Sequence, residues 1–420
     1  MFKKFLAVML SLVVVLSLAG CSAKKDTTET DKNNGTTATT TPAATDTAAG
    51  TFKLGGFLQL SGGNSQYGNE AKNSIALAVK YINEQGGFNG QQIEFIPYDT
   101  QGAAEEAVKV ATKLIEQDKV NAVIGSVNSG EVLAAAGYLN DAKIITFGLG
   151  TAASWMAEDW PYVFRATMNN STAAPLTADM LKEMGLASVA VFYGQDDASL
   201  ATSQIFAKEC ESRGISVLAN ESYDTGDMDF SAQIANIINS KAQSVYISVI
   251  GETGPVIVKQ LRQYGYNGLI FDKESFMQSQ IAIAGEEAAN YILFANPYVT
   301  YATAEDCDIP VVKDFLDKYT AEYGENAKTD SAYRGWDTMM VLWEASKIAK
   351  SNDSDSLRDA VAKISGLAGL GGTLDYTSGT REGYTVFNRF VLVGGKNVLF
   401  DKWLADGGYD AYKTATGREY

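Results

Sequence analysis

The sequence predicts an α/β protein made of two lobes, each a doubly wound parallel sheet. Short apolar strands alternate with amphipathic helices from Phe52 onward, the pattern of a parallel sheet covered on both faces. The rhythm restarts after Asn169-Asn170-Ser171. The length from Thr51 onward, about 370 residues, exceeds what one hydrophobic core organises.

The first series opens with a strand over 52–57 and a polar loop over 61–68. A helix over 69–85 carries Ile75, Ala78, Val79 and Ile82 at helical spacing and stops at Gly86-Gly87. Strands over 93–97, 122–124 and 144–147 alternate with helices over 103–117 and 131–139. The second series has helices over 175–184, 199–213, 230–238 and 256–264. Its strands fall over 189–193, 215–218, 245–250, 269–271 and 291–294. Helices over 311–323, 332–349 and 357–364 follow, and a β region over 384–403 ends the chain.

The first residues read differently. Lys3 and Lys4 precede an apolar run over 5–18, shorter than the roughly 20 residues a spanning helix needs, which is the layout of an export signal over 1–20. Leu18-Ala19-Gly20-Cys21 resembles the bacterial lipoprotein box, which implies that Cys21 is acylated and anchors the chain to a membrane from outside the cytoplasm. Residues 22–50 lack any aromatic side chain and read, with Cys21, as a lipidated linker over 21–50.

Composition excludes several function classes. A net charge of -16 argues against nucleic acid, whose phosphates call for a surplus of Lys and Arg. The chain holds no histidine, which removes the commonest general base and the commonest zinc ligand. No cysteine spacing suggests a metal, and Cys210 and Cys307 read as two unpaired thiols. Glu105-Glu106 and Glu286-Glu287 lie on expected helices, where neighbours diverge by about 100° and cannot face one bond. The expectation is a non-enzymatic protein without cofactor or metal.

Residues spread along the chain carry a family resemblance. The segment 57–68, Tyr81-Ile82-Asn83, Gly86-Gly87, Gly90 and Tyr98-Asp99 belong to its first part, continued by Val123-Ile124-Gly125-Ser126, Ile145-Thr146 and Phe164-Arg165. Asp229-Phe230-Ser231, Leu261-Arg262-Gln263, Gly265, Trp336-Asp337 and Met340 extend it. Their order and spacing resemble the leucine/isoleucine/valine-binding proteins over nearly the whole chain from Thr51. The resemblance implies a class I periplasmic-binding-protein-like fold with three crossovers, near Thr167, Pro297 and Tyr376. Lobe one is then 51–168 plus 298–376, and lobe two 169–297 plus 377–420. It implies a monomeric extracytoplasmic lipoprotein that hands a small solute to an ABC importer permease. The ligand expected is an amino acid of branched-chain type or a related small polar solute. A ligand-sensing module for a membrane receptor, or a receptor for an amide or urea-type solute, are the alternatives.

An amino acid needs donors for a carboxylate and an acceptor for an ammonium. Strand-end loops leading into helix N-termini supply the first, and two fit: Asn128-Ser129-Gly130 and residues 148–151. Ser129 also reads as a helix N-cap. By resemblance, Ser129 and Thr151 hold the carboxylate with backbone amides around Gly148 and Leu149. Glu274 receives the ammonium, with Asp272 as its substitute, and Tyr67 lines the mouth. The chain departs from the family where lobe-two tyrosines are replaced by Ala198 and Ile250, near Tyr193, Asp196 and Asp197. The family's lobe-one disulfide has no counterpart, because residues 100–103 and Asn128 include no cysteine.

Overall fold

The computed structural model describes residues 50–418 except Thr225 and Ser275. The expected export signal, Cys21 and all but the last residue of the linker lie outside the described residues.

The first sheet contains β1 (Phe52–Leu58), β2 (Ile93–Asp99), β3 (Ala122–Ile124), β4 (Ile145–Phe147) and β5 (Val163–Phe164). All pairs are parallel and the order is β2-β1-β3-β4-β5. Its connecting helices are α1 (Ser65–Glu84), α2 (Ala104–Lys113) and α3 (Ser129–Asp141). The second series runs α4 (Asn170–Glu183), β6 (Ser188–Gly194), α5 (Asp197–Ser212), β7 (Ser216–Tyr223), α6 (Ser231–Ser240), β8 (Ser244–Ser248) and α7 (Thr253–Gln263). It continues through β9 (Leu269–Asp272), α8 (Gln278–Ala284), α9 (Glu286–Ala289) and β10 (Ile292–Asn296). The chain then makes α10 (Pro310–Tyr323), α11 (Asp330–Ala349), α12 (Ser354–Val361) and a hairpin of β11 (Leu367–Gly369) and β12 (Gly372–Leu374). It ends with β13 (Asn388–Val393), β14 (Lys396–Leu399), α13 (Phe400–Ala405) and α14 (Gly408–Thr416).

The second sheet repeats the winding of the first. Its parallel part is ordered β7-β6-β8-β9-β10, and β13 and β14 extend it antiparallel beyond β10. In each half the order reverses beside the first strand, so a crevice opens at the carboxyl ends of the neighbouring strands. This is the doubly wound α/β architecture expected from the alternation. β1 and β8 are buried almost end to end, as strands covered on both faces must be.

Each sheet has apolar side chains on two faces. Phe52, Leu54 and Leu58 of β1 pack with α1 and α10 to α12, whereas Phe57 and Val123 face α2 and α3. In the second sheet, Ile247 and Ile270 meet α6, α7 and α8, and Val191 and Phe271 meet α5 and the terminal helices. Cys307 belongs to the first of these cores and Cys210 to the last; both are buried and neither is in a disulfide.

Three passages connect the sheets: after β5, after β10 and after β12. One buried carboxylate ties them. Asp337 of α11 accepts from Tyr384 Oη at 2.5 Å and from the Leu370 amide at 2.9 Å. Tyr298 Oη lies 3.1 Å from Asp337 Oδ2 and 2.9 Å from the Ala166 carbonyl, sharing its one proton between them. Tyr376 Oη donates to the Arg165 carbonyl at 2.9 Å.

Three local elements differ from the sequence reading. Helix α1 starts at Ser65, so the loop ends at Asn64 and Tyr67 sits in the helix's first turn. Gly68 does not end the loop; it lets α1 lie so close to the Gln59 carbonyl that a Cβ would overlap it. The cap of α3 is Asn128, whose side chain accepts from the Gly130 amide at 3.0 Å, and Ser129 is the first helical residue. Finally, the terminal β region is shorter than 384–403: Leu399 is its last residue, and two helices follow that the sequence reading did not separate from it.

Candidate functional site

A cavity of about 220 Å³ lies where the two sheets' strand ends face each other. Asn64, Tyr67, Ser129, Thr151 and Arg334 line it from the first sheet's side, and Asp196, Asp197, Ala198, Ile250 and Glu274 from the second's. Four of the residues singled out in the sequence therefore meet here: Tyr67, Ser129, Thr151 and Glu274.

Each is delivered by an element end. Ser129 opens α3, just beyond β3, and its Oγ accepts from the Ala152 amide at 3.1 Å. That bond holds the loop after β4 against α3, which explains Gly150: a Cβ there would sit 2.5 Å from Ser129 Oγ. Because Asn128 takes the capping role, the Ser129 hydroxyl keeps its proton for the cavity. Gly148 and Leu149 stand behind this wall. Gly148 packs between Val132 and Trp155, the Leu149 side chain is in the first core, and both amides are spent, on the Phe164 and Ser126 carbonyls. These two amides are thus used to build the wall, and the two residues do not line the cavity.

Glu274 follows β9 and reaches across to the other lobe. Its carboxylate accepts from Thr151 Oγ1 at 3.0 Å, Asn170 Nδ2 at 3.3 Å and Arg334 at 3.2 Å, with Lys273 Nζ 3.6 Å away. Burial raises its pKa, but Lys273, Arg334 and the Thr151 and Asn170 hydrogen bonds outweigh that and hold it below the ordinary value. Its neighbour Asp272 is driven up to about 7 by burial. Thr151's hydroxyl proton points at Glu274, so in this arrangement Thr151 serves the acid of the opposite lobe.

Arg334 was not singled out by the sequence reading. It lies in α11 with its guanidinium buried, donating to Asp330 Oδ2 at 2.6 Å, the Leu149 carbonyl at 3.1 Å and Glu274. Burial disfavours its charge, yet Asp330 and Glu274 raise its pKa overall. The signal available was an Asp–Arg pair at i,i+4 within the helix. Tyr67 is buried, and its hydroxyl has no hydrogen-bond partner among the described residues. Burial first, then Asp330 and Glu274, push its pKa well above the ordinary value, so it is a neutral phenol. Among the described residues no cluster of His, Cys, Asp and Glu could hold a metal, and no helix is long and apolar enough to cross a membrane.

A small polar molecule surrounded on both sides by convergent hydroxyl, carboxylate and guanidinium groups is what such a cleft can hold. Residues 51–388 match the periplasmic binding protein family. The chain belongs to that family. The family binds solutes outside the cytoplasm and is not enzymatic. A leucine-, isoleucine-, valine-, threonine- and alanine-binding protein of Pseudomonas aeruginosa is 27% identical over 57% of this chain and 65% of its own length. The match thus spans just under two thirds of that relative.

Among solved structures, a branched-chain amino acid transporter substrate-binding protein of Streptococcus pneumoniae, in complex with isoleucine, is 25% identical. It superposes with a TM-score of 0.71, covering 83% of this chain and 97% of that one. A leucine-binding protein of Thermotoga maritima gives a TM-score of 0.71 at 24% identity, over 83% of this periplasmic binding protein and 97% of its own chain. The fold is accordingly that of the class I periplasmic binding proteins.

Proposed function

We propose that this periplasmic binding protein is the solute receptor of an ABC importer, anchored to the membrane through a lipid on Cys21, and that it captures an amino acid in the cleft between its lobes. One observation carries the reading. A single cavity between the sheets is lined by Ser129 and Tyr67 from one side and Glu274 from the other, a hydroxyl donor, a buried phenol and an acid within reach of one small zwitterion. The helix N-terminus at Ser129 and the Arg334 guanidinium favour the ligand's carboxylate. Glu274 is the acceptor for its ammonium. The names of the relatives bring branched-chain amino acids forward, while Ala198 and Ile250 form the wall that selects the side chain.

A thermal-shift screen against free amino acids and small amides tests the ligand class, because a solute bound only by the folded state raises the melting temperature. No shift with any of them ends the amino-acid reading. Replacing Cys21 with Ser releases the protein into the medium if the anchor is right; retention on the membrane refutes it.

A further inference from the structure

The groups lining the cavity are unevenly matched. Asp196, Asp197 and Glu274 are acids, Asn64 and Tyr67 add acceptor oxygens, and Arg334 is the basic residue among the described lining residues. Glu274 is already compensated by Arg334 and Lys273. The carboxylates without a cation are the two at the start of α5. Asp196 is half-buried and caps the helix through Oδ1, 2.9 Å from the Ser199 amide. Asp197 is exposed to the cleft, and its side chain makes no hydrogen bond or ion pair among the described residues. Lys273 lies behind this wall, buried and turned to Ser199 Oγ at 3.4 Å and to Glu274.

Two further observations point to a ligand in this cleft. The Tyr67 hydroxyl, on a residue 8% exposed, lines the same cavity with no partner of its own. Next, the cleft does not stop at Ile250. A second cavity of about 480 Å³ shares Asn64, Asp196 and Ile250 with the first and adds Asp227 and Glu252 to its walls.

We infer that the amino acid taken by this cleft carries a cationic side chain, an ammonium or a guanidinium, received by Asp196 and Asp197 at the start of α5. The inference rests on the amino-acid reading above and names the side-chain class within it. A ligand of charge plus one offsets the surplus of carboxylates that a neutral zwitterion leaves standing, and its N–H groups meet acceptors that an aliphatic side chain would strand without partners. The net charge of -16 adds long-range attraction for such a cation.

The test is titration calorimetry of the full-length chain in detergent with L-lysine, L-arginine, L-leucine and L-norleucine, the last being lysine's aliphatic stem without its ammonium. Lysine or arginine is expected to bind at least about tenfold more tightly than norleucine, close to 1.4 kcal/mol. In the Asp196→Asn/Asp197→Asn double variant, where asparagine preserves the α5 cap, that ratio falls toward one. Asp197→Asn alone gives the answer if the double variant does not fold. Leucine or norleucine binding as tightly as lysine overturns the inference and leaves the amino-acid reading intact. A cationic preference that survives the substitutions overturns the assignment to α5. Silence from every free amino acid overturns both readings.

Discussion

Two carboxylates, Asp337 fully buried and Glu274 largely so, sit in different regions of this molecule and behave in opposite ways. Glu274, in the cleft, is held below its ordinary pKa; Asp337, among the crossovers, is raised to about 6. Burial pushes both upward and is the largest influence on each. What differs is the company. Glu274 has Lys273 and Arg334, whereas Asp337 has two tyrosine hydroxyls and the Leu370 amide. At Asp337 the neutral donors soften the desolvation without reversing it; at Glu274 the two cations, with the Thr151 and Asn170 hydrogen bonds, reverse it. The cleft is built to keep a charge, and the junction of the lobes to keep a geometry.

The sharpest way to break this comparison is to remove the cleft's cation. Arg334→Met leaves Asp330 and Glu274 facing each other in a buried site, and it should lower stability by about 3–5 kcal/mol in urea unfolding. Adding Glu274→Gln to that background should recover part of the loss, since the two residues share one interaction. An Arg334→Met protein as stable as the parent would show that the pair contributes nothing.

The junction should respond more mildly. Tyr384→Phe removes a hydroxyl that serves Asp337 and accepts from the Gly371 amide, and about 1.5–3 kcal/mol should be lost. Unchanged denaturation midpoints would mean that the Asp337 cluster does not brace the crossovers.

Acidity divides the buried carboxylates further. Asp337 and Asp272 hold their protons to about 6 and about 7 in the folded chain, while the unfolded chain releases them near 4. Between these values the folded state binds more protons, so stability falls as pH rises from about 4 to 7, by at most about 1.4 kcal/mol per unit for each group. Glu274, with its lowered value, works the other way: its contribution is present above its unfolded pKa and is lost as pH falls through the folded one. Melting temperatures recorded from pH 5 to 7 should decline, and Asp337→Asn should flatten the decline. A slope unaltered by that substitution would place the titration elsewhere.

The smallest effect belongs to a neutral pair. Ser129→Ala deletes the acceptor for the Ala152 amide and should cost about 1 kcal/mol, seen in chemical denaturation. A loss as large as that of Arg334→Met would erase the distinction between charged and neutral contacts.

Strand–helix alternation made both sheets legible, because period and length are local properties of the sequence. Ser129, Thr151 and Glu274 were legible for a related reason: each follows a strand that ends at the crevice. Arg334 was not, since it lies inside a long helix near the chain's end and reaches the site only once α11 is packed on α1. The β13–β14 hairpin and α13 blurred into one another because Lys396 to Trp403 has no glycine or proline to mark where strand becomes helix. That the Gly148 and Leu149 amides are taken by carbonyls was not legible, because it depends on partners such as Phe164 that no local pattern announces.

The interleaving of segments bears on how the chain reaches this state. Glu70 of α1 accepts from the Thr329 amide at 2.8 Å, and Tyr323 donates to the Asn73 carbonyl at 2.7 Å. The first core therefore waits for helices made some 250 positions later, and the second for β13 and β14. Contacts of such separation slow folding and postpone it until synthesis is nearly finished. A polypeptide that stays open so long is well suited to being threaded through a secretion channel before it sets.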